Sequence, residues 1–258
     1  MTRLIGFRSF MCATIVVVGA LSGPVSPAEP LRLLDAAEPI NDSAPGDHIE
    51  IIRQVVTAMG KEVSFEALPS RRAWDMIVRG ERDGLTAVFH TNERERVCSF
   101  PNEPLLVESS YLFVRTADAG KLKFSSFDDL IGHDVAVSGP YPLGSSEFQR
   151  LSPELFKFLS EHHNLIETGG TAESLRMLIA GRVDYAVIGI RLAKRVILMA
   201  GLSGMVEPLM SHRVIEQDVY VCFTKDRVEP TFIDAFSRTL KEFKQTDAYR
   251  AILAKYSP

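Results

Sequence analysis

The chain has 258 residues, and its 29 lysines and arginines against 33 aspartates and glutamates give a net charge of −4 at pH 7. This mildly acidic balance argues against a nucleic acid as a partner, because nucleic-acid-binding proteins carry a basic surface. The length is sufficient for one large domain or for two lobes that each have a core.

Residues 1–28 have the pattern of a secretory signal peptide. Arg3 and Arg8 give a basic start, residues 11–18 are nearly all apolar, and Ser26-Pro27-Ala28 places small residues where a signal peptidase cleaves. A retained membrane anchor is the alternative, but the apolar run is shorter than the roughly 20 residues that span a bilayer. We therefore expect cleavage before Glu29 and export, and the loss of two arginines moves the net charge from −4 to −6.

The next part of the chain alternates between apolar runs of strand type and runs with helical spacing. The predicted elements are a strand, a helix, a strand, a helix and a strand, at 31–34, 49–59, 63–68, 70–80 and 85–89. Parallel neighbours require crossover connections, so this order predicts a mainly parallel sheet.

The second part of the chain continues the alternation after a strand at 110–114 and a polar linker at 116–123. The predicted elements are a helical turn at 126–130, a strand at 134–138, helices that begin at 152 and 172, a strand at 185–189, a helix at 190–200, a strand at 219–223, and helices that begin at 230 and 247. Thr171 is the predicted N-cap of its helix, and residues 139–144 form a loop because two Pro and two Gly interrupt them.

One short sequence pattern, the repeated segment, occurs twice, at Met76–Val88 and at Met177–Gly189. Each copy predicts a helix, a Gly stop, a polar turn with Asp, and a buried strand. The repeat indicates two α/β lobes, and ligands of such sheets bind at domain interfaces and beyond the carboxyl ends of strands. We expect 29–114 with 219–258 to form lobe 1 and 115–218 to form lobe 2, joined by a double hinge.

Cysteine and histidine give little support for a metal or redox centre. Cys98 and Cys222 both lie in strand-like stretches of an exported chain, so a disulfide and two buried thiols are both open. The dense group Glu161-His162-His163 has poor geometry for one ion, because adjacent helical residues point about 100° apart. No cofactor and no metal are expected.

Four motifs resemble the bacterial extracellular solute-binding proteins of family 3, the receptors of polar amino-acid ABC transporters. They are Gly80-x-x-Asp83-Gly84, Thr91-Asn92-Glu93-Arg94, Phe127-x-Asp129-Leu130-x-Gly132-x-x-Val135-Ala136-Val137 and Gly181-Arg182-Val183-Asp184, with Pro69-x-x-Arg72-Ala73 as a subgroup signature. The resemblance covers nearly all of the mature chain. It implies an α/β, two-lobe periplasmic-binding-protein fold of type II that closes on a small ligand without catalysis.

The resemblance makes Arg94 the strongest candidate ligand contact, since the family's Thr-x-x-Arg arginine holds the ligand carboxylate. A surface arginine paired with Glu93 or Glu95 is the alternative. Arg72 follows a helix start and could meet an anion, although it could equally be a surface charge.

The other candidates lie where strands end or where loops border the expected cleft. Phe89 and His90 end the first repeated strand, although Phe89 could be plain core, and Tyr141 could pack on its own turn. The remaining candidates are Glu38, Ser138, Ser145 and Gly189.

Several positions depart from the pattern of amino-acid receptors. The chain has Ala87 and Phe89 in place of hydroxyl residues, Gly189 in place of the acid that holds the ligand's ammonium, and Gly139-Pro140-Tyr141 in place of Gly followed by Thr or Ser. A buried ammonium without its counter-charge is costly, so a standard α-amino acid is in doubt. An anionic or weakly polar solute with an aromatic or apolar part is favoured.

We expect a monomeric periplasmic solute-binding protein, not an enzyme, that closes on a small carboxylate-bearing solute and delivers it to an ABC permease. One alternative is an enzyme on the same fold that resembles cyclohexadienyl dehydratase, for which Glu173 and His90 are the nearest acids. Another is a sensory protein whose closed form engages a membrane sensor.

Overall fold

A computed structural model describes residues 29–37, 46–138 and 144–256, which form a mixed sheet of nine strands flanked by helices. The strands are β1 Leu31–Ala37, β2 Val63–Pro69, β3 Gly84–Phe89, β4 Cys98–Ser99, β5 Leu106–Arg115, β6 Val135–Ser138, β7 Leu165–Thr168, β8 Tyr185–Gly189 and β9 Val206–Thr224. The helices are α1 Asp47–Ala58, α2 Ser70–Val78, α3 Gly144–Leu151, α4 Pro153–Glu161, α5 Thr171–Ile179, α6 Ile190–Met199, α7 Pro230–Phe243 and α8 Asp247–Tyr256.

The sheet runs in the order β2-β1-β3-β9-β5-β8-β6-β7, and β4 pairs with β9. The pairs within β2-β1-β3 and within β8-β6-β7 are parallel, as the strand-helix alternation predicts. The pairs made by β5 and β9 are antiparallel, so the sheet is mixed rather than mainly parallel. These two long strands connect the two parallel parts.

The buried side chains form cores on either side of this connection. The first half contains β1 to β4, the end of β9, and helices α1, α2, α7 and α8, and its core includes Ile52, Phe223 and Phe236. The second half contains β6 to β8 and helices α3 to α6, and its core includes Leu112 and Tyr185. The C-terminal helices therefore pack on the first half, as predicted.

The packing changes sides within β5. Leu106 belongs to the first core, whereas Leu112 and Val114 belong to the second. The register of β5 against β9 also shifts on both sides of Tyr111. The predicted lobe limit at residue 114 lies at the far end of this crossing strand, and the limits of the lobes stay a prediction.

Both copies of the repeated segment have the predicted local structure. In each, the helix ends before a glycine with a φ of +67°, Gly80 after α2 and Gly181 after α5. The aspartate that follows each glycine holds its turn. Asp83 accepts hydrogen bonds from the Arg32 amide at 2.8 Å and from the Arg227 guanidinium. Asp184 pairs with His133 at 2.9 Å and with Arg115 at 3.3 Å.

Some local predictions need correction or completion. Gly170, not Thr171, is the N-cap of α5, and Thr171 is its first helical residue. Strand β9 begins at Val206, well before the predicted strand at 219–223, and β7 and α3 were not predicted. Cys98 and Cys222 form a disulfide between β4 and β9 within the first half. None of the described helices is long and apolar enough to cross a membrane.

Candidate functional site

A cavity of about 520 Å³ lies between the two halves, bordered by the carboxyl ends of β1, β3 and β8. The first half contributes the starts of α1 and α2, and the second half contributes α6 and the start of α5. The connecting strands β5 and β9 line it as well. The parallel strands of both halves thus direct their carboxyl ends toward the same space, where α/β folds bind ligands.

One part of the cavity wall is apolar. Phe89, Leu106 and Val219 line it from the first half and the connecting strands, and Phe148 and Leu192 line it from the second half. Such a wall excludes water from a bound solute and favours an apolar group on it.

Four polar residues of the first half form a hydrogen-bonded group at the cavity. The His48 Nε2 lies 2.9 Å from Asp35 Oδ1, which also accepts a hydrogen bond from the Thr86 hydroxyl at 2.8 Å. The Asp47 carboxylate lies 3.5 Å from His48 Nδ1. His48 and Asp47 are 7% and 5% exposed, so the group is almost removed from bulk water.

The charges of this group stabilise one another. Burial disfavours the imidazolium, but the hydrogen bonds with Asp35 and Asp47 outweigh that effect and raise the pKa of His48 to about 9. Burial also disfavours the Asp35 carboxylate, yet His48 and Thr86 lower the pKa of Asp35 to about 2. At neutral pH His48 is therefore a cation between two carboxylates.

An ion pair joins the two halves across the cavity. The Arg191 Nη1 at the start of α6 donates to Asp47 Oδ2 at the start of α1, at 2.6 Å. Both side chains line the cavity, and they are 144 residues apart in the chain. This contact exists only while the halves are close together.

Glu108 extends from β5 into the same cavity. Its Oε1 accepts a hydrogen bond from the Arg191 backbone N–H at 3.3 Å. Burial raises the pKa of Glu108 to about 7, against the opposing effect of Arg191. Arg71 and Arg195 also line the cavity. Among the described lining residues, positive charge thus exceeds negative charge near neutral pH.

The bulge in β3 brings backbone to the cavity. Ala87 lines the cavity with a φ of +53°, and the register of β3 against β9 shifts between Leu85 and Val88. Non-glycine residues with positive φ are uncommon and concentrate at functional sites. The irregular strand therefore supports this cavity as the functional site.

The model of the bacterial extracellular solute-binding proteins, family 3, matches residues 36–258. The chain belongs to this family. No curated protein sequence matches it.

Solved structures show the same fold at low sequence identity. A histidine kinase sensor domain with similarity to periplasmic binding proteins is 21% identical, with a TM-score of 0.68 over 89% of this chain and 96% of that one. The GluR0 ligand-binding core from Nostoc punctiforme, in complex with L-glutamate, is 20% identical, with a TM-score of 0.65 over 88% and 99%. An ancestral amino-acid-binding protein, a precursor of cyclohexadienyl dehydratase, is 20% identical, with a TM-score of 0.66 over 89% and 96%.

The cavity brings together only some of the candidate residues. Phe89 and Gly189 line it. At the start of α2 the lining residues are Ser70 and Arg71, whereas Arg72 lies outside the described lining, and both arginines are exposed. The helix begins at Ser70, so consecutive side chains point in directions about 100° apart.

Arg94 and His90 are not among the described lining residues of the cavity. Arg94 is 4% exposed, its guanidinium donates to the Phe89 carbonyl at 2.8 Å, and it lies over the Trp74 ring. His90 Nε2 lies 2.6 Å from Glu95 Oε1, and the ring stacks on Phe100. In this arrangement Arg94 fixes the backbone of a wall residue.

The remaining candidates belong to segments of which less is described. Ser138 ends β6 and Ser145 lies in the first turn of α3, but the structure does not describe their side chains. Glu38 and Tyr141 lie outside the described residues.

Sequence reasoning missed the charged residues that dominate the cavity: Asp35, Asp47, His48, Glu108, Arg191 and Arg195. Two local signals were available. Asp47-His48 opens a helix directly after a polar loop, and Arg191 and Arg195 recur at helical spacing just after the second repeated strand. Neither signal reveals which groups meet, because the partners come from distant parts of the chain.

Proposed function

We propose that this protein is a periplasmic receptor that closes its two halves on a small carboxylate-bearing solute and delivers it to an ABC transporter. The observation that carries the proposal is the cavity between the halves, with its surplus of positive charge beside an apolar wall. Family membership supports solute binding. The pattern of residues 1–28 supports export.

The charges at the cavity favour an anion. Arg71, Arg191 and Arg195 line it with charged His48, against the carboxylates of Asp35 and Asp47. A guanidinium binds a carboxylate with two parallel hydrogen bonds, and these are stronger in a site that excludes water. The proposed solute places its carboxylate among these arginines and its apolar part against Phe89, Phe148 and Leu192.

The placement of the candidate catalytic groups supports binding rather than dehydration. Glu173 Oε2 accepts a hydrogen bond from the Gly169 N–H at 2.7 Å, and His90 pairs with Glu95. Neither is among the described lining residues. A general acid has to reach the leaving group of its substrate.

A thermal-shift screen of the mature chain from residue 29 tests the proposal. The panel comprises benzoate, 3-phenylpropionate, hexanoate and L-phenylalanine, with benzamide and 3-phenylpropanol as neutral controls. We expect the carboxylates to raise the melting temperature, since a solute at 100 times its dissociation constant adds about 2.7 kcal/mol of stability. The proposal fails if no carboxylate raises the melting temperature. Turnover of a carboxylated cyclohexadiene that carries a leaving hydroxyl, detected by mass spectrometry, would favour the dehydratase alternative.

Adjacent arginines give a matched test of the carboxylate contact. We expect Arg71→Gln to weaken binding of the tightest carboxylate about tenfold or more, because it removes a charge-assisted hydrogen bond. Arg72→Gln makes the same charge change one residue away, outside the lining, and should change the dissociation constant less than threefold. Isothermal titration calorimetry measures both affinities. Equal losses of affinity in the two variants would show that the arginines act through the electrostatic field and not through a contact with the solute.

The contact between Arg94 and the solute stays a prediction. Arg94→Ala is expected to weaken binding tenfold or more, because even without direct contact the guanidinium holds the carbonyl of Phe89. An unchanged dissociation constant in this variant would exclude both roles of Arg94.

A further inference from the structure

Glu108 is an acidic residue that lines the cavity. The proposed contact between the arginines and the solute carboxylate gives it no role. It lies on β5, opposite Gln217 of β9, and its side chain reaches the start of α6. A Cβ added to Gly189 would lie 2.7 Å from Glu108 Oε1 and 3.1 Å from its Cδ. The φ of Gly189 is −63°, which any residue adopts, so a side chain at this position would first meet the Glu108 side chain where it now lies. The absence of a side chain at position 189 therefore makes room for the Glu108 carboxyl group.

The Glu108 carboxyl group has few partners of its own. Its Oε1 accepts one hydrogen bond, from the Arg191 N–H, and within the described residues no donor lies within hydrogen-bond distance of Oε2. Apolar residues Leu106, Ile215 and Val219 line the same cavity. A solute that fills the cavity displaces water from Oε2, and a carboxylate that loses its hydration without a new donor is costly.

Charged groups of both signs face Glu108 from the elements around it. Asp47 and His48 act on it from α1 and Arg191 from α6, and Arg195 of α6 and Asp35 of β1 line the same cavity. Asp47 raises the pKa of Glu108, whereas Arg191 and His48 lower it. Because the pKa of Asp35 is about 2 and that of His48 is about 9, those two keep their charges between pH 6 and 8. Glu108, with a pKa of about 7, changes charge in this range.

We propose that Glu108 contacts the bound solute and takes up one proton from solvent as the solute's carboxylate enters, so that its carboxylic acid O–H donates a hydrogen bond to that carboxylate. This inference rests on the proposed function. Two carboxylates in contact cannot both remain charged, and one of them binds a proton. The solute keeps its charge for the arginines, and Glu108 becomes the neutral donor.

The proton can be counted by isothermal titration calorimetry. The tightest binder among benzoate, 3-phenylpropionate and hexanoate is titrated into the mature protein at pH 8, in phosphate and in Tris, whose ionisation enthalpies differ. The heat should differ between buffers by an amount equivalent to nearly one proton taken up per solute. Above the pKa of unliganded Glu108, the dissociation constant should rise nearly tenfold per pH unit.

Two matched variants assign the proton to its residue. In Glu108→Gln the amide is a permanent neutral donor, so we expect no proton uptake and a dissociation constant independent of pH between 6 and 8.5. Binding should be about thirtyfold tighter than wild type at pH 8.5. Glu216→Gln removes an exposed acid that pairs with Arg213 on neighbouring β9, and it should retain the uptake and the pH dependence of the wild type.

Each outcome decides between the two proposals. Binding of an acid without proton uptake by the wild type overturns the role of Glu108 and leaves the proposed function intact. Uptake that persists in Glu108→Gln also overturns it. Failure of every acid to bind overturns both proposals. The wild-type measurement in two buffers needs no variant, so it remains decisive even if Glu108→Gln does not fold.

Discussion

His48 is a buried cation whose charge depends on two carboxylates, and this makes stability depend on pH. Its pKa is raised to about 9 in the folded protein, above the roughly 6.5 expected in the unfolded chain. Its contribution is therefore fully present below pH 6.5 and is lost as pH rises through 9. The Asp35 carboxylate contributes to the free energy of unfolding with the opposite pH dependence. Its contribution is lost only as pH falls toward 2. Neutral solution lies within the range where the pair is intact.

We predict that the free energy of unfolding of the mature protein falls by about 2 kcal/mol between pH 7 and pH 9. Urea unfolding followed by circular dichroism measures it. In His48→Gln most of this fall should be absent, whereas His162→Gln, at the exposed end of α4, should show the wild-type fall. An identical fall in His48→Gln would mean that other groups cause the pH dependence.

The charged residues of the cavity show why the site was only partly predictable from sequence. The repeated segment predicts that Phe89 and Gly189 lie at the cavity, because the local sequence shows where each repeated strand ends. The pairing of Asp47 with Arg191 joins residues 144 apart, and that of Asp35 with Thr86 joins residues 51 apart. Such contacts depend on how the strands are ordered in the sheet, and no local pattern contains that order.

At the scale of elements, the two helix-stop glycines give a direct test of the repeat. Gly80 and Gly181 both have a φ of +67°, and no atom lies within 4 Å of a Cβ added at Gly80. Substitution by alanine therefore costs mainly backbone strain, about 1 kcal/mol in the left-handed region. We predict this loss of unfolding free energy in Gly80→Ala and in Gly181→Ala.

Gly120 provides the matched control for those substitutions. It also has open space around an added Cβ, but its φ lies outside the left-handed region. Gly120→Ala should leave the unfolding free energy unchanged or raise it slightly, because alanine restricts the unfolded chain. If all three variants lose the same stability, the turn conformation of the repeat is not the cause.

The elements that sequence predicted and those that it missed differ in burial. Strands such as β8, in which Tyr185 to Ile188 are buried, give continuous apolar runs that are easy to recognise. The first part of β9 is mostly exposed or half-buried and includes Ser211-His212-Arg213, so its strand structure comes from pairing with β5 rather than from an apolar pattern. Strand β7 has only four residues, and just Thr168 is buried. Pairing partners determine these strands, and the local sequence does not.

For the whole molecule, the two halves are joined by β5 and β9 and by the Asp47–Arg191 ion pair across the cavity. The strands connect the halves in any arrangement, but the ion pair forms only when the halves are close. If it stabilises the closed arrangement, its loss lowers the fraction of closed, unliganded protein. The apparent dissociation constant rises in proportion, because it equals the intrinsic constant divided by the fraction competent to bind.

We predict that Arg191→Gln increases the radius of gyration of the unliganded protein in small-angle X-ray scattering and weakens carboxylate binding at least tenfold. Asp47 keeps its contact with His48 in this variant, so the first half should retain its structure. Asp234→Asn, an exposed charge change on α7, is the control and should alter neither quantity. Weaker binding with an unchanged radius of gyration would mean that Arg191 acts on the solute and not on closure. In that case the connecting strands and the solute alone would determine how the halves meet.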